Sequence, residues 1–195
     1  MHVYWPSDTA RQMGAEETEA PALGEATHLD FDAVYEAEFD FVYRVVARLA
    51  GPGHVEDLVQ EVFIVVSQRL GEYRGDGRIT TWLFRIAYRV VGAHIRKARV
   101  RRQILELFGA EVPAPQPFSA SEAEYAADAH HVHAALEKLS FAKRSALVLF
   151  EVEGWSCEEI AESLEVPVGT VYTRLHHARR DFKEAYERRT GRGSP

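Results

Sequence analysis

The amino-acid sequence predicts an all-α protein: two small helical domains joined by a flexible linker, with a helix-turn-helix in the C-terminal domain. Three observations predict this architecture. Apolar residues recur at helical spacing on both sides of the middle of the chain. Three prolines, Pro113, Pro115 and Pro117, interrupt that spacing and mark a linker over residues 104–128. Two short amphipathic segments joined by a tight turn then occupy residues 156–182, SCEEIAESLEVPVGTVYTRLHHARRDF.

Two helices open the N-terminal domain, which we assign to residues 29–103. Apolar residues repeat at helical spacing over residues 31–50, and the Gly-Pro-Gly sequence that follows predicts the end of that helix. The second helix, over residues 55–70, has an apolar inner face. Its polar side chains Asp57, Gln60 and Glu61 point elsewhere.

A loop and a third helix complete this domain. The sequence YRGDGR, residues 73–78, has two glycines and an aspartate, which predicts a loop. The helix after it is predicted over residues 80–99 and interleaves aromatic with basic side chains. These side chains are Trp82, Phe84, Arg85, Tyr88, Arg89, Arg96, Lys97 and Arg99. Such a mixture can stack unpaired nucleic-acid bases and neutralise phosphates, although Trp82 and Phe84 could equally be core residues.

The helix-turn-helix dominates the C-terminal domain, which we assign to residues 129–190. In its first helix the small Ala161 lets a second helix cross closely. The second helix turns an apolar stripe inward and presents groups that suit base edges in a DNA major groove. That polar face comprises Thr173, His176, His177 and Arg180, with Thr170, Tyr172 and Arg174 on its flanks. A plain helical hairpin is the alternative interpretation.

Charge is unevenly distributed along the chain, whose net charge is -7. Residues 74–103 hold nine basic residues and one acidic residue, and residues 168–195 hold seven basic and three acidic residues. Residues 104–167, between them, hold three basic and twelve acidic residues. Two basic blocks in an acidic chain predict two phosphate-binding surfaces, with acidic surfaces that limit nonspecific DNA binding or meet basic partners. Two solvated basic helix faces are the alternative.

Other classes of function have little support in the sequence. No long apolar run or secretory signal is visible, which predicts a cytoplasmic protein. The single cysteine, Cys157, can form no internal disulfide. No catalytic motif, cofactor motif or metal-ligand pattern is present, and His130, His131 and His133 lack matching ligands, so we predict no enzyme, cofactor or metal site. Residues 1–28 are acidic and aperiodic, which predicts a flexible tail.

Three segments together resemble the extracytoplasmic function (ECF) group of bacterial RNA polymerase sigma factors, of the sigma-70 family. Residues 57–66, DLVQEVFIVV, are similar to the polymerase-docking helix of that family. Residues 73–87, YRGDGRITTWLFRIA, are similar to its promoter-melting segment, and residues 166–179, VPVGTVYTRLHHAR, to its recognition helix. The resemblance covers about residues 31–102 and 132–189, most of the chain.

The resemblance implies a specificity subunit that binds core RNA polymerase, selects a promoter and helps to open it without catalysing a covalent step. Asp57, Gln60 and Glu61 would contact the clamp helices of the largest polymerase subunit, and the second-largest subunit would also be a partner. An inhibitory anti-sigma factor, commonly membrane-linked, would cover the polymerase-binding surfaces and hold the protein near the membrane.

The resemblance also assigns the DNA contacts. A base flipped from the nontemplate strand of the minus-10 element would be held by Tyr73, Arg74, Trp82, Arg85, Arg89, Arg96 and Lys97. The minus-35 duplex would meet Thr170, Tyr172, Thr173, Arg174, His176, His177 and Arg180, with Arg174, Arg179 and Arg180 on phosphates. The two domains would then hold one promoter together, the first on separated strands and the second on paired strands.

Two features depart from the pattern of the family, and a third departs from the helix-turn-helix motif in general. Arg89 and Ala93 stand where relatives often have Asn and Asp, which predicts an unusual promoter specificity. His176 and His177 replace aromatic or basic residues. Glu165 stands at a turn position that often holds glycine, where left-handed backbone would cost about 1 kcal/mol.

Two alternative functions remain open at the level of sequence. In a one-component transcription regulator, the N-terminal domain would sense an effector and only the second domain would bind duplex DNA. Tight operator binding by the purified protein alone would favour it. An α-helical enzyme with an appended DNA-binding module would instead need an ordered pocket with perturbed titratable groups.

Overall fold

Seven α-helices and one short 3₁₀ helix form the fold of the computed structural model, which describes residues 29–51, 53–108 and 125–191. The elements are α1 Phe31–Ala50, α2 Val55–Arg69, the 3₁₀ helix Leu70–Glu72, α3 Ile79–Leu107, α4 Tyr125–Glu137, α5 Phe141–Glu151, α6 Cys157–Leu164 and α7 Val168–Thr190. These ranges contain no strand, so the all-α prediction is confirmed. The predicted acidic tail and residues 109–124 of the predicted linker lie outside the described residues.

Helices α1, α2 and α3 pack together as the N-terminal domain. Their apolar stripes meet in a core that includes Val42, Val45, Leu49, Val62 and Val91, all fully buried. The backbone at Gly51 has φ 80°, a left-handed value that favours glycine, and its N–H donates to the Ala47 carbonyl. The predicted end of the first helix is therefore confirmed.

The third helix is longer than the sequence analysis predicted. It runs from Ile79 to Leu107 rather than ending near Arg99, because residues 100–107, VRRQILEL, contain neither glycine nor proline and are rich in helix formers. Residues 104–107 and 125–128, both assigned to the linker, are therefore helical. Among the described residues, no helix is both long enough and apolar enough to cross a membrane.

The predicted helix-turn-helix is formed by α6 and α7. Ile160 and Ala161 of α6 are buried, as are Val171, Leu175 and Ala178 of α7, so the predicted apolar faces are confirmed. Glu165 joins the helices with φ 54° and ψ 47°, the left-handed conformation expected at this turn. The N–H of Val166 donates to the Ala161 carbonyl over 3.0 Å and closes the end of α6.

The two domains pack against each other, which the sequence analysis did not predict. Helix α5 contacts α1, and α6 contacts α3. Trp155, in the turn between α5 and α6, is 4% exposed. Its ring lies 6.5 Å from that of Phe41 on α1 and 5.5 Å from that of Phe84 on α3. A single hydrophobic core therefore extends across both domains.

The start of α6 is held by a reciprocal pair of hydrogen bonds, the capping box. The Glu159 N–H donates to Ser156 Oγ over 3.1 Å, and the Ser156 N–H donates to Glu159 Oε2 over 2.7 Å. The second bond is the main reason that the pKa of Glu159 is lowered, and Arg78 contributes to the shift. The Glu159 carboxylate therefore stabilises the folded state above its unfolded pKa of about 4.3, and this contribution is lost as the pH falls through the lower folded value.

We expect Ser156→Ala to lower the free energy of unfolding by about 1 kcal/mol, because the Glu159 N–H loses its acceptor. In Glu159→Gln, the part of the acid destabilisation that comes from this carboxyl should be absent. Urea unfolding at neutral and acidic pH measures both effects. Glu158→Gln, in the same first turn, is the matched control, and its free energy of unfolding should depend on pH as that of the wild type does. Identical pH profiles for wild type, Glu159→Gln and Glu158→Gln would contradict the assignment of this acid destabilisation to Glu159.

Candidate functional site

The outer face of α2 presents the predicted docking residues. Asp57, Gln60 and Glu61 are all exposed, as their spacing predicted. Ile64 lies one turn further along the same face and is 50% exposed. An apolar side chain surrounded by polar ones is typical of the centre of a protein interface, and the sequence analysis missed it because Ile64 is adjacent to core residues in the sequence.

A groove lined by aromatic rings adjoins this face, between α1 and α2. Tyr35, Phe39 and Tyr43 repeat every fourth residue along α1. Tyr35 and Phe39 contact the ring of Phe63 of α2, and Tyr43 contacts that of Phe39. The Tyr35 and Phe63 rings are 4.6 Å apart, and Gln60 and Ile64 line the same groove. The apolar pattern predicted over residues 31–50 does not by itself distinguish this stripe from the core residues of α1. The sequence signal for the groove is that aromatic residues recur every four positions at Tyr35, Phe39 and Tyr43, whereas the core positions of α1 hold mainly valine and leucine.

The loop before α3 is ordered around Tyr73. The Tyr73 hydroxyl donates to the Gly77 carbonyl over 2.6 Å, and its ring lies 5.6 Å from that of Trp82. Burial and the Asp76 carboxylate raise the pKa of Tyr73, so the phenol keeps the proton it donates. Gly75 and Gly77 have φ values of 76° and 116°, which a residue with a side chain rarely adopts. Tyr73 and Trp82 thus form a half-buried aromatic pair at this loop, a contact that the sequence did not predict.

The predicted basic residues of α3 do not form one compact site. Arg96 is 14 residues beyond Trp82, or about 21 Å along the helix axis. Arg74, Arg96 and Lys97 are exposed. Arg85 and Arg89 lie between them, and both form ion pairs with the C-terminal domain: Arg85 Nη2 lies 3.5 Å from Glu162 Oε1, and Arg89 Nη2 lies 3.7 Å from Glu165 Oε1. The basic side chains of α3 are therefore exposed at Arg89, Arg96 and Lys97, but Arg85 and Arg89 in the middle of the helix already have carboxylate partners.

Helix α7 presents its predicted polar face to solvent. Tyr172, Thr173, His176 and Arg180 are exposed, and Thr170, Arg174 and His177 are half-buried. The Thr173 hydroxyl donates to the Gly169 carbonyl over 3.0 Å, which leaves its lone pairs available as acceptors. The rings of His176 and His177 lie 5.4 Å apart. These groups lie along one helix of 23 residues, long enough to enter a major groove.

Two arginines predicted to meet phosphates already have carboxylate partners. Arg179 Nε donates to Glu151 Oε1 over 2.7 Å, and its guanidinium lies 5.0 Å from the centre of the Phe150 ring. Arg180 Nη2 lies 2.9 Å from Asp181 Oδ1. The Arg179–Glu151 bond joins α7 to α5, whereas the Arg180–Asp181 bond lies within α7. Either bond would have to be shared with, or exchanged for, a phosphate. Arg174 is half-buried on the same helix.

Comparison with known proteins identifies the family. Residues 34–101 match the family model for Sigma-70 region 2, and residues 130–182 match that for Sigma-70, region 4. The chain is 34% identical over 151 residues to the ECF RNA polymerase sigma-E factor of Escherichia coli K12, covering 71% of the chain and 76% of that protein. The chain belongs to the ECF sigma factors. It is also 35% identical over 159 residues to the ECF RNA polymerase sigma factor SigE of Mycolicibacterium smegmatis, covering 79% of the chain and 60% of that longer protein.

Solved sigma factors share the fold of this ECF sigma factor. The sigma factor RpoE of Bartonella quintana, in complex with the anti-sigma factor NepR, aligns with a TM-score of 0.64 and 21% identity, covering 81% of this chain and 97% of that one. CnrH, in complex with the cytosolic domain of CnrY, aligns with a TM-score of 0.58 and 22% identity, covering 79% and 85%.

Family membership decides between the functions left open by the sequence. The chain is a sigma factor that serves promoter-specific initiation of transcription with RNA polymerase, as the paired region 2 and region 4 matches show. Sigma factors are initiation factors and not enzymes. The one-component regulator is not favoured, because its N-terminal domain would have to be an unrelated sensor, whereas residues 34–101 match region 2.

Proposed function

We propose that this sigma factor docks on the clamp helices of the largest polymerase subunit through α2, captures a minus-10 base at the α3 loop and reads the minus-35 duplex with α7. The observation that carries the proposal is the order and exposure of three faces: the polar side of α2, the Tyr73–Trp82 pair and the polar side of α7. Each face has the chemistry that its target requires.

The α2 face and the aromatic groove beside it together make the polymerase-docking surface. Asp57, Gln60 and Glu61 supply the polar rim, and Ile64 supplies an apolar centre. Tyr35 and Tyr43 are 40% and 37% exposed at the edge of the groove, so part of each ring is free to contact a partner. Interfaces of this composition, with aromatic and aliphatic anchors inside a polar rim, concentrate binding energy at their centre.

At the minus-10 element, the aromatic pair offers a stacking platform for an unpaired base. Extraction of a base from the duplex costs a few kcal/mol, and stacking on an aromatic ring returns about 1–3 kcal/mol. Arg74 lies in the loop beside this platform, and Arg85, Arg89, Arg96 and Lys97 follow it along α3. These cations would neutralise the phosphates of the separated strand. Arg89, which departs from the family pattern, adds a positive charge in the middle of this row of basic side chains.

At the minus-35 element, α7 would lie in the major groove. Thr173, His176 and His177 are placed to contact base edges, while Thr170 and Tyr172 near the start of the helix and Arg174 and Arg180 beside it contact the backbone. Phosphate contacts fix the register of the helix, so that the few base contacts decide which sequence is preferred.

An anti-sigma factor is the regulatory partner that we propose, since the sigma factor RpoE of Bartonella quintana, which shares the fold, was determined in complex with the anti-sigma factor NepR. The docking surface on α1 and α2 is the surface that such an inhibitor would have to cover. The protein would act in the bacterial cytoplasm, where polymerase and chromosome meet, and would be held near the membrane when its inhibitor is membrane-linked.

Run-off transcription with bacterial core polymerase on a promoter library tests the proposed function. We expect initiation from a subset of promoters only when the protein is added. Trp82→Ala should reduce initiation about 5- to 150-fold on duplex promoters, because a stacking contact worth about 1–3 kcal/mol is lost. On templates with a pre-melted minus-10 region the reduction should be smaller, and Trp82→Tyr, which keeps a ring, is the control. Failure of the wild-type protein to stimulate core polymerase on any promoter would reject the proposal.

A further inference from the structure

The end of α3 extends beyond the core of the N-terminal domain. Every residue from Arg96 to Phe108 is exposed except Leu105, which is half-buried. This stretch is helical as far as Leu107, over about 17 Å along the axis. We call residues 96–108 the α3 extension. Because almost every position on it is exposed, a partner could approach the extension from any side.

Four large apolar side chains form one stripe along the α3 extension. Val100, Ile104, Leu107 and Phe108 occupy positions i, i+4, i+7 and i+8, which share one face of a helix. Their exposed fractions are 54%, 48%, 85% and 83%. An exposed apolar patch of this kind marks a site of contact with a protein or a membrane, because covering it removes apolar surface from water. The stripe therefore predicts that the extension has an occupant.

Basic side chains border the apolar stripe. Residues 95–108 hold five basic residues and one acidic residue, in a chain whose net charge is -7. Arg96, Lys97 and Arg101 line one shallow depression together with Val100 and Ile104. Within the described ranges, none of the five basic residues forms an ion pair. Their positive charge therefore favours an anionic occupant.

The combination of apolar stripe and cations distinguishes between the candidate occupants. DNA phosphates would neutralise the cations but would leave Val100, Ile104 and Leu107 in water. A second copy of the chain would cover the stripe, but pairing two stripes would bring the bordering cations of both copies together, and like charges repel. An anionic lipid surface satisfies both features, because apolar side chains enter the boundary between headgroups and acyl chains while long basic side chains reach the lipid phosphates.

We propose that the α3 extension binds the surface of membranes that contain anionic lipids, with its apolar stripe buried and its cations on lipid phosphates. A basic amphipathic helix binds in this way, in the plane of the interface. The contact would concentrate the protein at the membrane without a membrane-linked inhibitor. The proposal goes beyond the proposed function and does not rest on it, because Arg101 and the apolar stripe are outside the residues assigned to polymerase and DNA.

The test measures flotation of the purified full-length protein with vesicles of phosphatidylglycerol and phosphatidylcholine in equal parts, and with vesicles of phosphatidylcholine alone. The variant L107S/F108S shortens the apolar stripe without changing any charge. The variant V152S/V168S is the matched control, because it removes two exposed apolar side chains after α5 and at the start of α7. It separates the stripe from a general decrease in exposed apolar surface.

A second pair of variants tests the cations. R101Q/R102Q removes two positive charges of the α3 extension that are outside the predicted minus-10 set. R69Q/R189Q is the matched control, because it changes the net charge equally at exposed positions near the ends of α2 and α7. All the substituted side chains are exposed, and circular dichroism reports whether the helices remain. Salt screens the attraction of cations to anionic lipids, so binding of the wild type should also weaken as the ionic strength rises.

We expect the wild type to bind the anionic vesicles at least about tenfold more tightly than phosphatidylcholine vesicles. L107S/F108S and R101Q/R102Q should each weaken this binding about tenfold or more, and the two controls less than about twofold. Equal binding to both kinds of vesicle would overturn the proposal, as would equal losses in the variants and their controls. Unchanged vesicle binding by L107S/F108S together with weaker binding to core polymerase would also overturn it and assign the stripe to a protein partner. Vesicle binding requires neither polymerase nor promoter DNA, so its failure is distinct from a failure of run-off transcription.

Discussion

Trp155→Ala should lower the free energy of unfolding by about 3–5 kcal/mol, the largest effect on stability that we expect from one substitution. The indole is 4% exposed and fills the space between Phe41 and Phe84 of the other domain. Alanine would leave a cavity that both domains line. The backbone N–H of Trp155 donates to the Leu149 carbonyl over 3.0 Å, and this bond survives the substitution. The expected loss of stability therefore comes from the side chain.

The same substitution should also change the form of the unfolding curve. With one continuous core, the two domains are expected to unfold together in a single transition. Without the indole that joins them, the domains should unfold in two transitions monitored by circular dichroism in urea. Trp82→Ala, which removes a half-buried tryptophan at the edge of the N-terminal domain, is the control. It should lower the free energy of unfolding by about 1 kcal/mol, and the protein should still unfold in one transition. A loss for Trp155→Ala no larger than for this control would show that the domains are not coupled through Trp155.

Local sequence patterns were sufficient to predict most helices. The apolar period of α1 and the Gly-Pro-Gly after it fixed both of its ends, and the stripe of Val171, Leu175 and Ala178 oriented α7 correctly. The left-handed backbone of Glu165 was also predictable, because the turn geometry requires it whatever residue is present. The predicted end of α3 was wrong because the pattern of aromatic and basic residues stops near Arg99, whereas the helix continues through the helix-forming residues that follow.

The contact between the domains could not be predicted from the sequence. Glu159, Glu162 and Glu165 have the spacing of an ordinary solvated helix edge, and nothing local distinguishes a glutamate that faces water from one that faces an arginine about 80 residues away in the chain. Trp155 lies in a turn, where no period indicates which way a side chain points. The candidate site was therefore predicted as a list of residues, but the ion pairs of Arg85 with Glu162 and of Arg89 with Glu165 required the tertiary structure.

Ile64→Asp should weaken binding to core polymerase about thirtyfold or more, the largest effect on polymerase binding that we expect, because loss of a central anchor residue costs about 2 kcal/mol or more. Ile64 is 50% exposed, between the polar docking residues of α2 and the aromatic groove. A charge there would have to be desolvated at the centre of the interface. Since half of the Ile64 side chain is exposed to solvent, the substitution should change the free energy of unfolding by no more than about 0.5 kcal/mol.

Ile104→Asp is the matched control, because Ile104 is 48% exposed on the distant end of α3 and receives the same change in charge and volume. Competition for core polymerase against a labelled wild-type protein measures both variants, and run-off transcription should fall in parallel only for Ile64→Asp. If the two variants lose affinity equally, the loss reflects the added charge and the docking surface does not centre on α2. If only Ile104→Asp loses affinity, polymerase binds the far end of α3 instead, and the assignment of Asp57, Gln60 and Glu61 fails with that of Ile64.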